Sequence, residues 1–156
     1  MIFVTLGTSK LKFNRIIDYI NSANLKDVVI QSGSTIINNS DYEVRKYLTQ
    51  EEMKEYINKA DYIISHGGIV LMEALEKGKK VICVPRQKKY HECVENFQKD
   101  YTDYLFDNNY ILLANTKEEF DQCIKNIKKC HLRKYRNNSK TFYNKLGKIL
   151  DNYLVK

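Results

Sequence analysis

Three residues, His66-Gly67-Gly68, stand between an apolar run, Tyr62-Ile63-Ile64-Ser65, and a stretch of helical pattern from Ile69 to Lys77. Two glycines directly before a helix let backbone approach a ligand closely, and the unpaired N–H groups of the first helical turn favour an anion. The chemistry on offer is therefore phosphate binding. Glu73, one turn into the same helix, is spaced to aim its carboxylate back at the turn. A carboxylate does not hold a phosphate. It accepts hydrogen bonds from the two hydroxyls of a ribose, and the combination then reads as a nucleotide site. The same residues also fit a plain tight turn followed by a solvated glutamate, because no complete dinucleotide or P-loop fingerprint is present.

The elements that must position these residues follow from the pattern of apolar and turn residues. Val81 to Val84, ended by Pro85, pairs with Tyr62 to Ser65 to make a βαβ unit. Ile2 to Leu6 reads as a first, central strand. Gly7-Thr8-Ser9 follows it, before Phe13, Ile16, Ile17 and Ile20 recur at helical spacing. That turn can hold a diphosphate or sugar hydroxyls, or Thr8 or Ser9 can simply cap the helix. Val28 to Gln31 is the second strand and ends in Ser32-Gly33-Ser34. Three polar glycine turns thus fall at carboxyl ends of strands, where the ligand crevice of an open parallel sheet lies. Tyr42 to Leu48 is a short strand, Thr49 caps a helix over Glu51 to Lys59, and the loop after Pro85 runs polar from Arg86 to Gln98. Such a loop suits sugar hydroxyls, and its Arg86 and Lys88 suit a phosphate. A helix is expected over Val94 to Phe106, with Phe97, Tyr101, Tyr104 and Leu105 packed inward. Ile111 to Leu113 is the last strand, Thr116 caps a helix reaching Lys129, and a terminal helix covers His131 to Val155. The whole predicts one α/β domain over residues 1–156, a Rossmann-like parallel sheet with helices on both faces.

The chain has 156 residues and a formal net charge of +7, so its partners should be anionic: diphosphate-bearing substrates, an acidic lipid surface, or nucleic acid. No short element interleaves basic residues with aromatics, which argues against nucleic acid. Cys83, Cys93, Cys123 and Cys130 lack a C-x-x-C pair and read as reduced thiols. With neither a signal-peptide start nor a bilayer-length apolar run, a cytoplasmic protein is expected.

V-T-L-G-T-S at the start, the Q-S-G-S turn, and I-S-H-G-G followed by E-A-L-x-x-G-K-x-x-x-x-V-P-R and E-N-x-Q resemble the C-terminal nucleotide-sugar domain of glycosyltransferase family 28. The likeness runs over almost the whole chain. It is similar to single-domain members: the cytosolic subunit that adds the second N-acetylglucosamine to the dolichol-linked precursor, and bacterial two-chain exopolysaccharide or capsule enzymes. The resemblance implies half of a GT-B enzyme that binds a UDP-sugar, with the acceptor half on a separate membrane-attached subunit that recruits it to the cytoplasmic face. It implies Gly7 and Thr8 near the diphosphate, Ser32 and Gly33 near the base and diphosphate, and His66, Gly67 and Gly68 at the phosphates. Glu73 would take the ribose, and Asn96 with Gln98 the donor sugar. Where relatives often read N-D-H-Q, this chain has Glu95-Asn96-Phe97-Gln98. A histidine is missing there, and His91 is the nearby substitute.

Cleavage of a sugar–phosphate bond leaves negative charge on the nucleotide, which glycine-turn N–H groups and a helix N-terminus can stabilise without a metal. No Asp-x-Asp motif is present, so a metal-independent, cofactor-free reaction is expected. Inversion, implied by the family, needs a base for the acceptor hydroxyl. His66 and His91 are the candidates within the chain, and the partner subunit is the other source. The acceptor would be a lipid-linked saccharide. Two further classes fit the residues: a binding subunit that enhances a partner enzyme without turnover, and an unrelated nucleotide-dependent enzyme on the same fold. Without its partner, the apolar cleft surface could also pair two copies of the chain.

Overall fold

Alternate residues of the first strand point to opposite sides of the sheet, and both sides are apolar: Ile2, Val4 and Leu6 enter one core, Phe3 the other. A strand buried on both faces belongs in the middle of a parallel sheet. The computed structural model, which describes residues 1–154, places it there. Strands β1 (Ile2–Thr5), β2 (Val28–Gln31), β3 (Glu43–Arg45), β4 (Tyr62–Ser65), β5 (Lys80–Cys83) and β6 (Leu112–Leu113) form one sheet in the order β3-β2-β1-β4-β5-β6. Every pairing is parallel, with Thr5 level with both Gln31 and Ser65. This is the doubly wound order, whose topological switch point lies between β1 and β4.

Helices α1 (Asn14–Ser22) and α5 (Lys117–Asn126) cover one face, through Phe13, Ile16, Ile20, Phe120 and Cys123. Helices α2 (Gln50–Lys59), α3 (Ile69–Glu76) and α4 (Lys99–Asp107) cover the other, through Ile57, Leu71, Ala74 and Leu105. Capping boxes start α2 at Thr49, with Glu52, and α5 at Thr116, with Glu119. All four cysteines are free thiols, and complete burial pushes the Cys83 thiol pKa up. Among the described residues no helix is long and apolar enough to cross a membrane.

Four expectations are corrected. The helix expected from Val94 begins only at Lys99, because the Asn96 side chain accepts from the Lys88 N–H and ties the preceding residues into a loop. Phe97 therefore stands 82% exposed, and Tyr104, on the outer side of α4, is 60% exposed. The strand expected over Tyr42 to Leu48 shrinks to Glu43–Arg45, an exposed edge. Helix α5 ends at Asn126, short of Lys129, because the Lys80 ammonium donates to the carbonyls of Ile127, Lys128 and Cys130 and satisfies the last turn. The terminal helix, expected from His131, begins only at Ser139 (α6, Ser139–Leu154), after a stretch without regular structure in which Arg133 N–H donates to Asn109 O and Asn137 is tied to Glu76; Val155, expected within that helix, lies outside the described residues.

Candidate functional site

At the carboxyl edge the loops after β1, β2, β4 and β5 meet, and Gln31 joins two of them to the loop after β3. Its side chain is 2% exposed and uses all its hydrogen-bonding capacity. The amide oxygen accepts from the Thr5 hydroxyl at 2.9 Å and the Gly7 N–H at 3.1 Å. The amide NH₂ donates to Gly7 O at 3.0 Å and Lys46 O at 3.2 Å. Gly33 lies against the same turn so closely that a Cβ there would stand 2.3 Å from Gly7 O. Ser32 is buried beside it, its N–H donating to Arg45 O. Ser32 and Gly33 thus shape the Gly7 turn from beneath.

The His66 ring is packed between Gly7 and Gly68: a Cβ on either would fall 2.6 Å from a ring atom. Its Nδ1 sits 3.3 Å from Thr5 O, an atom that only accepts, so Nδ1 carries the proton and Nε2 is left as an acceptor. Burial lowers the pKa to about 4, outweighing the Thr5 bond, and Arg86 pushes the same way. The ring is therefore neutral near pH 7 and brings no positive charge to a phosphate. The folded pKa lies below the ordinary 6.5, so the unfolded chain binds the extra proton and stability is lost as pH falls. From pH 6.5 down to about 4 the loss should reach about 3 kcal/mol. Urea titrations across that range should show this fall in the native chain and a flatter profile for His66→Gln.

His66 forms the wall between two cavities of about 270 Å³ each. Gly7, Thr8, Gln31 and Gly68 line the first, on the switch-point side. Ser9, Arg86, Glu92 and Gln98 are among those lining the second. Asn96 lies on a third, with Gln87, Lys89 and Asn115. Gly67 is buried against Thr102 and Cys83. The N–H groups of Gly68, Ile69 and Val70 at the start of α3 have no partner among the described residues. Glu73 is half-buried on that helix, and its carboxylate has no hydrogen-bond or ion-pair partner among them either. His91 ends a short 3-10 turn, Lys88–Tyr90, with left-handed backbone; it is exposed and lines none of these cavities.

Arg86 turns inward. Its guanidinium lies over the Phe13 ring and donates to the carbonyls of Leu6, Leu11 and Glu92 at 2.9 Å each, tying the loop after β5 to the loop after β1. Arg15 reinforces the junction through two hydrogen bonds to the buried Glu92 carboxylate, at 2.9 and 2.8 Å, and one to Pro85 O. Sequence reading passes over Gln31, Arg15 and Glu92. The available signal was a polar residue closing the apolar run Val28-Val29-Ile30; nothing local marks Arg15 and Glu92 as partners.

The glycosyltransferase family 28 C-terminal domain profile matches residues 1–153. No curated protein matches the chain by sequence. Among solved structures, the glycotransferase of kitacinnamycin is similar with a TM-score of 0.62 and 14% identity, over 83% of this chain and 35% of its own. SnogD, a glycosyltransferase from Streptomyces nogalater, is similar with a TM-score of 0.51 and 15% identity, over 82% of this chain and 39% of its own. These likenesses are of fold, and the chain spans well under half the length of either structure.

Proposed function

Because the chain belongs to the glycosyltransferase family 28 C-terminal domain family, we propose that it is the donor-binding half of a two-chain, inverting glycosyltransferase. In this reading it moves a hexose or N-acetylhexosamine from a UDP-sugar to a polyprenyl-diphosphate-linked saccharide, in bacterial exopolysaccharide or capsule synthesis. The observation that carries the donor role is the uncommitted first turn of α3 together with the unpaired Glu73 carboxylate on the same helix. The free N–H groups receive the diphosphate, the helix dipole stabilises the charge that develops on UDP, and Glu73 accepts from the ribose hydroxyls. Gly7 and Thr8 close over the diphosphate on the β1 side. Asn96 and Gln98 hold the sugar from the loop that Arg86 anchors. His66 Nε2, a neutral acceptor, receives a hydroxyl of the donor, and the acceptor's general base comes from the other subunit.

The need for another subunit is supported by the loop edge. Leu11, Tyr47, Ile69, Val94 and Phe97, from the segments that follow four of the strands, all expose apolar side chains and line the two cavities beside His66. A second lobe closing on that edge would bury them and exclude water from the reaction. In this reading that lobe is a membrane-anchored acceptor subunit, which draws the chain to the cytoplasmic face of the membrane.

Titration calorimetry of the purified chain with UDP tests the donor reading. Binding should be indifferent to magnesium and should weaken roughly a hundredfold in Glu73→Ala, the loss of two hydrogen bonds to a charged acceptor. Equal affinity of the native chain and Glu73→Ala would remove the ribose assignment, and a strict need for magnesium would overturn the metal-independent route.

A further inference from the structure

We infer that Thr102, on α4, is a positioning residue for the donor: it sets the spacing between the phosphate turn at Gly67 and the side chain of Gln98, so that one sugar nucleotide meets both. The inference rests on the donor reading above and adds to it a residue that touches no ligand, since Thr102 lines none of the three cavities. Of the two residues assigned to the sugar, Gln98 shares a cavity with His66, whereas Asn96 lies on another and spends its Oδ1 on the Lys88 N–H. Gln98 stands immediately before α4. Its half-buried side-chain amide caps nothing there, which leaves a donor and an acceptor for a ligand.

The two parts of the site meet at one side chain. Gly67 is buried with φ at +91°, and a Cβ built on it would fall 2.9 Å from Thr102 Cγ2 and 3.7 Å from Gln98 Cβ. The phosphate turn therefore rests on the Thr102 methyl, with no room for another atom. Thr102 is completely buried, and its hydroxyl donates to Gln98 O at 2.9 Å, with Lys99 O also in reach at 3.0 Å. Its N–H donates to the same Gln98 carbonyl at 2.9 Å. A threonine that bonds back one turn is ordinary within a helix. Here the carbonyl belongs to the residue that faces the ligand, and the methyl on the same Cβ carries the phosphate turn. Close-packed interiors do not stretch, so this methyl fixes the gap between Gly67 and Gln98. The β-phosphate and the sugar of a donor are joined through a single oxygen, so a ligand seated on the turn has little freedom to follow Gln98 elsewhere.

Calorimetry with UDP, and with UDP-glucose, UDP-galactose and UDP-N-acetylglucosamine, separates the two halves of the ligand. The native chain should bind the best of the three sugar nucleotides more tightly than UDP. Thr102→Val keeps the methyl and loses the hydroxyl. It should bind UDP within about twofold of the native chain but that sugar nucleotide about fivefold more weakly, because Gln98 must then be ordered at the moment of binding. Gly67→Ala drives a new methyl against the Thr102 methyl and should remove the gain that the sugar brings. Thr102→Ser deletes the opposing methyl, so in the Gly67→Ala background it should restore part of that gain, whereas a loss caused by the left-handed backbone alone would not recover. If Thr102 serves packing only, Thr102→Val lowers the melting temperature and weakens UDP and the sugar nucleotide by one common factor. That result, no recovery in the double variant, or no gain from any of the three sugars overturns the proposal and leaves the UDP site standing. Absence of UDP binding in the native chain removes the donor reading and this inference with it.

Discussion

Glu92→Gln is expected to destabilise the chain by about 3 to 5 kcal/mol, the cost of removing one member of a buried ion pair. For a chain of this size that lowers the melting temperature by about 10 °C. The Glu92 and Arg15 side chains are 4% and 10% exposed, and they meet in two-point geometry. Burial pushes the Arg15 pKa down, but the hydrogen bonds and charge of Glu92 more than offset it, so the net direction is up. Glu92 also accepts from the Gln87 N–H, and its charge partly offsets the burial that lowers the pKa of Arg86. Glutamine keeps the shape and removes the charge, leaving two buried guanidinium groups without a counter-ion. Truncating both partners, Arg15→Met with Glu92→Leu, should recover part of the loss, since a buried pair replaced by apolar groups is often nearly neutral. Differential scanning calorimetry of Arg15→Met, Glu92→Leu and the double variant closes the cycle. If Glu92→Gln melts within about 2 °C of the native chain, the pair does not hold the loop. In the donor reading the same variant weakens UDP-sugar more than UDP, because the loop it frees carries Asn96 and Gln98.

This pair also marks where sequence reading stops. The strands at Ile2, Val28 and Tyr62 are legible because continuous apolar runs bounded by glycine turns have few other destinations, and the helix starts at Thr49 and Thr116 are legible because a capping box is completed within four residues. Their chemistry is local. Arg15 and Glu92 are 77 residues apart, and no periodicity predicts that a polar loop folds one glutamate under itself. The spacing of Phe97, Tyr101 and Leu105 fits a buried helical stripe, yet Phe97 is exposed, since the bond from Lys88 N–H to Asn96 competes with helix formation and wins. The terminal helix shows the opposite failure. Its amphipathic pattern was visible, but a pattern states that a face is apolar and not what covers it.

The glycines and His66 were likewise visible as residue types, but their support was not, and Gln31 is the clearest case. Gln31→Glu should be the most damaging single-atom change in the crevice, about 4 kcal/mol at neutral pH. Exchanging the NH₂ for oxygen turns two donations into two acceptor–acceptor contacts, at Gly7 O and Lys46 O, and buries a charge. The protein's response is to hold the new carboxyl protonated, so its folded pKa rises above the usual carboxylate value near 4.3. The sign follows: below that value both states are protonated and the charge penalty vanishes, and it grows as pH rises towards the folded pKa. The His66 contribution runs the other way, with stability lost as pH falls from 6.5 to about 4, so the variant must be compared with the native chain at each pH. Gln31→Leu separates the terms, because it loses all four bonds, the two donations included, without adding charge, and its deficit should be flat with pH. Nucleotide binding gives a second separation. Above the folded pKa of the new group, a carboxylate beneath the Gly7 turn repels a diphosphate, so at those pH values Gln31→Glu should lose more UDP affinity than Gln31→Leu even where their stabilities match. If the two variants bind UDP equally, Gln31 shapes the turn, but the diphosphate does not lie above it.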